Sequence, residues 1–223
     1  RRVRDPLTLQ TVLTRAGLLF PETRRATTGP YGDWLGKTGQ GSSGSGVGLA
    51  TGATFLQRKL AGCSLAALFD GPQLLGVTRQ LVGEPWTGAA RFQYCGSIAP
   101  WKLSSDLEQQ LEQLGTTLHE QFGLTALYGV DLILDPQQRL WTLEVNPRYT
   151  AAVEIVERAY GLAVFAPGDS QPSALCHGKA ILFAKQPLLV SPALERQLLE
   201  QSLEETAAFA DIPAAGTQIG AGQ

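Results

Sequence analysis

The stretch GVDLILDPQQRLWTLEVNPR, Gly129 to Arg148, constrains this chain more than any other segment. It reads as two short strands joined by a tight loop at Pro136 to Arg139. Side chains in a strand alternate faces with period two. Setting Asp131 opposite Glu144 puts Asp131, Ile133 and Thr142 on one face with Glu144 and Asn146, the facing Cβ atoms roughly 5 Å apart. Two carboxylates and an amide oxygen then converge on one point. Bare, they repel. With a hard divalent cation between them they become oxygen ligands, and Mg²⁺ is the usual guest where phosphates supply the remaining ligands. The competing reading is the solvated polar face of a sheet. Asn146-Pro147-Arg148 weighs against it: the proline ends the strand and leaves a guanidinium beside the carboxylates, suited to bidentate contact with phosphate or carboxylate.

Asp131, twelve residues, then Glu144-x-Asn146-Pro147-Arg148 resembles the metal-binding hairpin of the ATP-grasp superfamily. Biotin carboxylase, D-alanine–D-alanine ligase and related carboxylate–amine ligases belong to it. The resemblance runs from about residue 5 to about residue 165. It implies an α+β fold, two subdomains gripping ATP between them, with the family's Rossmann-like N-terminal domain outside this chain. It also implies that Asp131, Glu144 and Asn146 hold Mg²⁺ or Mn²⁺ with the nucleotide, and that Arg148 meets the transferring phosphoryl group or the acyl phosphate. The implied activity is ATP-dependent ligation: a small-molecule carboxylate becomes an acyl phosphate, which an amine or similar nucleophile attacks. The alternatives are a degenerate ATP-binding module without turnover, and another chemistry of the same fold, such as small-molecule phosphorylation or carboxylation.

Trp34 to Lys37 reads as a strand entering the run GKTGQGSSGSGVGLATG. That composition fits a flexible linker, and it also fits a loop whose backbone N–H groups approach phosphate oxygens closely. No Gly-Lys-Ser/Thr follows at Walker A spacing. The flanking strands, Trp34 to Lys37 and Thr54 to Leu60, favour a loop inside a domain. In ATP-grasp proteins a lysine on the entering strand contacts the phosphates and a Gly-rich loop closes over them. The resemblance therefore assigns Lys37, Gly39, Gly41, Ser42, Ser43 and Gly44 to the nucleotide. It also likens Thr54 to Leu60, with Ala61-Gly62, to the family's adenine hinge, which places Gln57 and the backbone at Lys59 and Leu60 beside the base. Arg58 and Ser64 stand where the family commonly carries acids.

Composition narrows the classes. A chain of 223 residues with 43 % apolar content supports a real core. Its apolar runs are too short to span a bilayer, and a net charge of −2 offers no electrostatic case for nucleic acid. Cys63, Cys95 and Cys176 are odd in number and widely spaced, which points to a reducing, cytoplasmic compartment and away from a zinc or disulfide framework. No signal peptide is visible. The sequence has no methionine, opens in RRVRDP and stops after a Gly-rich turn, and so reads as part of a longer protein. The expected partners are small-molecule carboxylate and amine substrates, and a homo-oligomer is compatible with the family.

Elsewhere the pattern predicts a helix over residues 5 to 16, N-capped by Asp5. A hairpin is expected around Asp70-Gly71-Pro72. The next stretch, Glu84 to Leu103, is less regular, its aromatics Trp86, Phe92, Tyr94 and Trp101 reading as core. A helix over Ser105 to Gln121 should open with a Ser105–Glu108 capping box, with His119 exposed off its apolar stripe. Another helix is expected over Thr150 to Tyr160. Residues 1–165 then form the ATP-grasp domain. Residues 166–223 form a small, incomplete extension with a strand at Lys179 to Ala184 and a helix capped by Ser191-Pro192. That extension is similar to the β-rich one of biotin-carboxylase-like proteins.

Overall fold

A computed structural model of the chain describes residues 2–27, 32–38, 47–48, 52–164, 173–202 and 209–223. Helix α1, Pro6–Arg15, forms where expected: the Asp5 side chain accepts from Thr8 N at 2.7 Å, and Leu9 and Leu13 are its buried stripe. Four short strands follow, β1 (Thr23–Arg25), β2 (Trp34–Lys37), β3 (Val47–Gly48) and β4 (Phe55–Arg58). They pair antiparallel in the order β1-β4-β2-β3.

The second half is built on a larger sheet. Its strands are β5 (Cys63–Asp70), β6 (Gln73–Val82), β7 (Tyr94–Ala99), β8 (Leu127–Leu134), β9 (Leu140–Asn146) and β10 (His177–Ala180); helices α2 (Ser105–Phe122) and α3 (Val153–Tyr160) pack on it. The spatial order is β10-β7-β6-β5-β8-β9, every pair antiparallel. Beyond it, β11 (Leu188–Leu189) pairs with β12 (Gln218–Ile219), and α4 (Pro192–Gln201) lies between them in sequence. Ser191 caps α4 by accepting from Leu194 N, and none of that helix is buried. The mixture of helices and antiparallel sheets is α+β.

Alternation sorts the large sheet's residues onto two faces. Leu65, Ala67 and Phe69 of β5, Val77 of β6, Tyr128, Val130 and Leu132 of β8 and Val145 of β9 form one core with the α2 stripe Leu107, Leu111, Leu114 and Leu118 and with Leu9 and Leu13 of α1. Gly115 lets α2 come close, since a Cβ there would stand 2.4 Å from Pro72 O. On the opposite face α3 covers only part of the sheet, through Val153 and Val156 against Leu68. The Tyr160 hydroxyl bonds both the N–H and the carbonyl of Val77. The rest of that face is left to the functional cleft.

Several sequence expectations are corrected. Glu84 to Leu103 contains a full strand, β7, whose Gly96 and Pro-flanked end hid it. Of the aromatics read as core, Trp86 is 59 % exposed, and Phe92 and Tyr94 line the cleft. The capping box does not form: Ser104 is the N-cap of α2, without a side-chain cap bond, so Ser105 and Glu108 are one position out of phase. His119 is half-buried, its Nδ1 bonded to the Leu124 carbonyl, closing the helix end. Thr142 lies on the core face. A register shift pairs Asp131 with Glu144 but Leu132 with Thr142, so Leu143 is the extra residue of a bulge. The last predicted strand sits earlier, at His177–Ala180, and joins the large sheet through β7. Pro167 to Ser173 reads as a breaker-rich loop in the sequence, and of it residues 167–172 lie outside the described residues. Among the described residues no helix is long and apolar enough to cross a membrane.

The β8–β9 loop is organised by Asp135, which is 5 % exposed. Its Oδ1 accepts from Gln137 N and Arg139 N, its Oδ2 from Arg139 Nε and Trp141 Nε1. Burial alone would raise this carboxyl; the N–H groups of Arg139 and Trp141 and the Arg139 guanidinium outweigh burial and hold it down at about 2. Because the folded-state value is depressed, the stabilisation is present above the ordinary carboxylate value of 3.8 and is lost as pH falls towards 2. Denaturant unfolding between about pH 5 and about pH 2 should show wild-type stability falling through this window and Asp135→Asn falling less steeply. Equal slopes would show that the loop draws nothing from the charge.

Candidate active site

Two strands, β8 and β9, place the acidic centre. Asp131 and Glu144 are cross-strand partners, and Asn146 follows two residues along β9, opposite Gly129. Like charges directly opposite destabilise a sheet, and here neutral and cationic donors offset the repulsion. Asn146 Nδ2 lies 3.0 Å from Asp131 Oδ2 and 3.3 Å from Glu144 Oε1. Gln80 Nε2, from β6, donates to Asp131 Oδ1 at 2.8 Å. Lys37, at the end of β2 in the small sheet, stands 3.9 Å from Glu144 Oε2.

This geometry sets the titration. Desolvation first, then the Glu144 charge, push the Asp131 carboxyl well above the usual carboxylate range, while the Gln80 N–H and Lys37 pull it back. Asp131 keeps some contact with solvent through the cleft mouth, which tempers the desolvation without changing its direction. Burial likewise lowers the Lys37 ammonium below its ordinary value, against the opposing pull of Glu144 and Asp131. A cation or a phosphate would relieve this imbalance, each from its own side.

These residues face one cleft of about 470 Å³. Lys37, Gln57, Lys59 and Leu60 line it from the small sheet and hinge, Gln80, Asp131, Glu144 and Asn146 from the large sheet, and Arg148 from beyond β9. The structure thus brings together every described residue that the sequence singled out for the site. Gly39, Gly41, Ser42, Ser43 and Gly44 lie outside the described residues. Val47–Gly48, the end of the Gly-rich run, pairs with β2 as β3, so the run joins two strands of one sheet. Arg148 is exposed and donates from one guanidinium nitrogen to the Tyr149 carbonyl at 3.0 Å. Gln57 is buried and donates to Thr23 Oγ1 at 3.2 Å, which ties the hinge strand to β1. Arg58, the basic hinge residue, lies over the Trp34 ring at 5.1 Å, with Glu22 at 4.0 Å and Asp33 at 3.9 Å.

Gln80, Arg91, Phe92, Tyr94 and Ser97 also line the cleft and were not foreseen as site residues. Tyr94 and Ser97 share a hydroxyl–hydroxyl bond of 2.8 Å. Gln80 meets Asp131 across 51 residues of sequence, and no local pattern announces such a contact.

Among the described residues no cluster of three or more His, Cys, Asp or Glu could hold a metal alone. Two carboxylates and an amide oxygen could supply the protein's share of a Mg²⁺ site, the remaining ligands coming from water and phosphate oxygens. Asn146 Nδ2 now occupies the point shared by Asp131 Oδ2 and Glu144 Oε1, and half a turn of the amide exchanges that donor for an acceptor. The residues fit the ion.

The ATP-grasp domain family matches residues 4–152, well over half of the chain, and the chain belongs to that family. Its fold is similar to an L-amino acid ligase from Bacillus licheniformis, at 15 % identity and a TM-score of 0.70, covering 98 % of this chain and 63 % of the ligase. It is also similar to the N5-carboxyaminoimidazole ribonucleotide synthetase of Thermotoga maritima, at 15 % identity and a TM-score of 0.59, over 90 % of this chain and 59 % of the other. A third likeness is to the biotin carboxylase domain of the 2-oxoglutarate carboxylase of Hydrogenobacter thermophilus, solved as a dimer with MgADP, ADP and bicarbonate. It is 16 % identical, with a TM-score of 0.58, over 73 % of this chain and 44 % of that one. The chain thus spans less than two thirds of each of these proteins. No curated protein matches it by sequence.

Asn146→Asp puts a third carboxylate within reach of two others and removes the donor that bridges them. Without divalent cation the variant should lose on the order of 2 kcal/mol, several degrees in Tm. Mg²⁺ should recover more of that in the variant than it adds to the wild type. Thermal unfolding with and without Mg²⁺ is the measurement; equal responses of the two proteins would remove Asn146 from the cation site.

Proposed function

We propose that this chain is the ATP- and Mg²⁺-binding part of a ligase that activates a small-molecule carboxylate as an acyl phosphate for attack by an amine. The supporting observation is the meeting of Asp131, Glu144 and Asn146 about one point, with Lys37 beside them, in a cleft between two sheets. Membership of the ATP-grasp family and the likeness to two ligases and a carboxylase agree with it.

The reaction moves the γ-phosphoryl group of ATP onto a carboxylate oxygen with loss of ADP. The amine then forms its bond to the acyl carbon, and phosphate leaves. Phosphoryl transfer of this kind depends on positioning and charge compensation more than on a general base. A divalent cation, when bound, neutralises phosphate charge. Asp131, Glu144 and Asn146 would hold it. Lys37 reaches the same point from the opposite sheet and offers its ammonium to the phosphates, whose charge would offset the desolvation that now depresses its pKa. Gln57 and the backbone at Lys59 and Leu60 would receive adenine. Among the described residues the Arg148 fork donates to the Tyr149 carbonyl, and its exposed guanidinium would turn towards the moving phosphoryl group. Mn²⁺ would serve in place of Mg²⁺.

A module that binds ATP without turnover is the second reading, favoured by Arg58 and Ser64 where acids commonly stand. The contacts of Arg58 with Trp34, Glu22 and Asp33 engage its guanidinium, and the Arg58 and Lys59 N–H groups bond the Glu22 and Asp33 carbonyls, so adenine would meet the hinge at the Lys59 carbonyl and at Leu60.

Arg148 separates the two. In the intact protein supplied with carboxylate and amine, Arg148→Ala should leave ATP affinity within a few-fold and cut ADP release about 100-fold or more. Arg148→Lys should recover little, because the charge remains and the fork is lost. Chelating the divalent cation should abolish ATP binding and ADP release together. Unchanged turnover in Arg148→Ala would remove that residue from the mechanism. Absence of ADP release from the wild type across carboxylates would favour the binding module, and ADP release that needs no amine would favour phosphorylation or carboxylation.

A further inference from the structure

Gln80 lies on β6, and β5 separates it from Asp131 on β8. Its side chain can reach across because the β5 residue opposite Asp131 is Ala66, which presents only a methyl group. The contact divides the two oxygens of Asp131. Oδ1 is taken by Gln80 Nε2 at 2.8 Å. Oδ2 is left facing Glu144 Oε1, with Asn146 Nδ2 between them. Turning the Asn146 amide would release Oδ2 to a cation, and nothing in that motion disturbs the bond to Oδ1.

The division matters for which cation fits. Ca²⁺ takes six to eight oxygens and draws readily on both oxygens of one carboxylate, whereas Mg²⁺ and the similarly small Mn²⁺ favour octahedral sites with one oxygen per group. Each carboxylate oxygen has two lone pairs; the Gln80 bond takes one on Oδ1 and holds the group turned with Oδ2 towards Glu144 and Asn146, which disfavours a cation gripping both oxygens.

We propose that Gln80 is a positioning residue that commits Asp131 to ligation through a single oxygen and so sets the site's preference for a small octahedral cation over Ca²⁺. The inference rests on the divalent-cation reading of Asp131, Glu144 and Asn146 above. Gln80 is no metal ligand in it; it acts through Asp131, as an outer hydrogen bond tunes a ligand.

The test uses the full chain with a non-hydrolysable ATP analogue. Mn²⁺ affinity is read by electron paramagnetic resonance, and Ca²⁺ is titrated in as competitor. Gln80→Met removes both amide donors at near-constant volume, and Gln80→Ala removes donors and volume together. Both should weaken Mn²⁺ roughly tenfold or more. Both should also let Ca²⁺ compete better relative to Mn²⁺, because the carboxylate is then free to turn and present both oxygens. Thermal unfolding of each variant reports its packing. A lower Tm with the ratio of Mn²⁺ to Ca²⁺ affinity unchanged would mean that Gln80 only packs, and would overturn the inference while leaving the proposed function in place. Mn²⁺ affinity equal to wild type in both variants would overturn it in the same way. A wild-type chain that binds no Mn²⁺ beside the nucleotide analogue would overturn the cation reading and this inference together.

Discussion

The placement of Glu144 directly across from Asp131 is the interaction on which the rest of the site depends. Two carboxylates facing each other on neighbouring strands oppose folding, so the surrounding structure must hold them there. It does so with donors brought from three places: Asn146 from the same strand, Gln80 from two strands away and Lys37 from the other sheet. Under the proposed function two of these donors mark what the site would accept: the Asn146 amide stands where a cation would, and the Lys37 ammonium where phosphates would. Sites that hold charge ready for a ligand are usually less stable without it, and the raised Asp131 carboxyl together with the lowered Lys37 ammonium expresses that cost in both partners.

The bulge at Leu143 makes the arrangement possible. Without it, strict alternation along β9 would put Thr142 on the cleft face beside Glu144. With it, Thr142 is 3 % exposed on the core face while Leu143 and Glu144 both line the cleft. An extra residue in one strand re-aims the side chains that follow. The opposite face of the same hairpin stays dry through Val130, Leu132 and Val145, packed under α2. One face supplies the rigidity and the other the chemistry, which is how a catalytic constellation is held within the small tolerance it needs.

The cleft has two walls of different character. The small sheet is four short strands, and it contributes Leu35, Lys37, Gln57 and Arg58, with Lys59 and Leu60 just beyond β4. The large sheet is anchored by two helices on one face and by α3 on the other, where the Tyr160 hydroxyl clasps the Val77 backbone. This sheet also reaches into the C-terminal segment, since His177–Ala180 pairs with β7 and Lys179 bonds Glu154 of α3 at 3.2 Å. The segment therefore borders the α3 end of the cleft wall.

The sequence by itself determined the local elements and the chemistry of the hairpin. The period of two around Asp131, the proline after Asn146, the Asp5 cap and the leucine stripe of α2 are all short-range signals, and each reports a backbone preference that needs no distant partner. Tertiary structure alone decided the rest. The bulge at Leu143 depends on how β9 lies against β8 and under Leu19, whose carbonyl accepts from Thr142 N. Strand β7 was hidden because its glycine and small residues carry little strand preference, and it forms because β6 and β10 flank it. Gln80 gave no sign in sequence, since its partner is 51 residues away and a glutamine in a strand has many uses. Motifs of a few residues report which side chains can gather; contacts across a sheet determine how each is turned, because only the folded register brings those atoms within hydrogen-bonding distance.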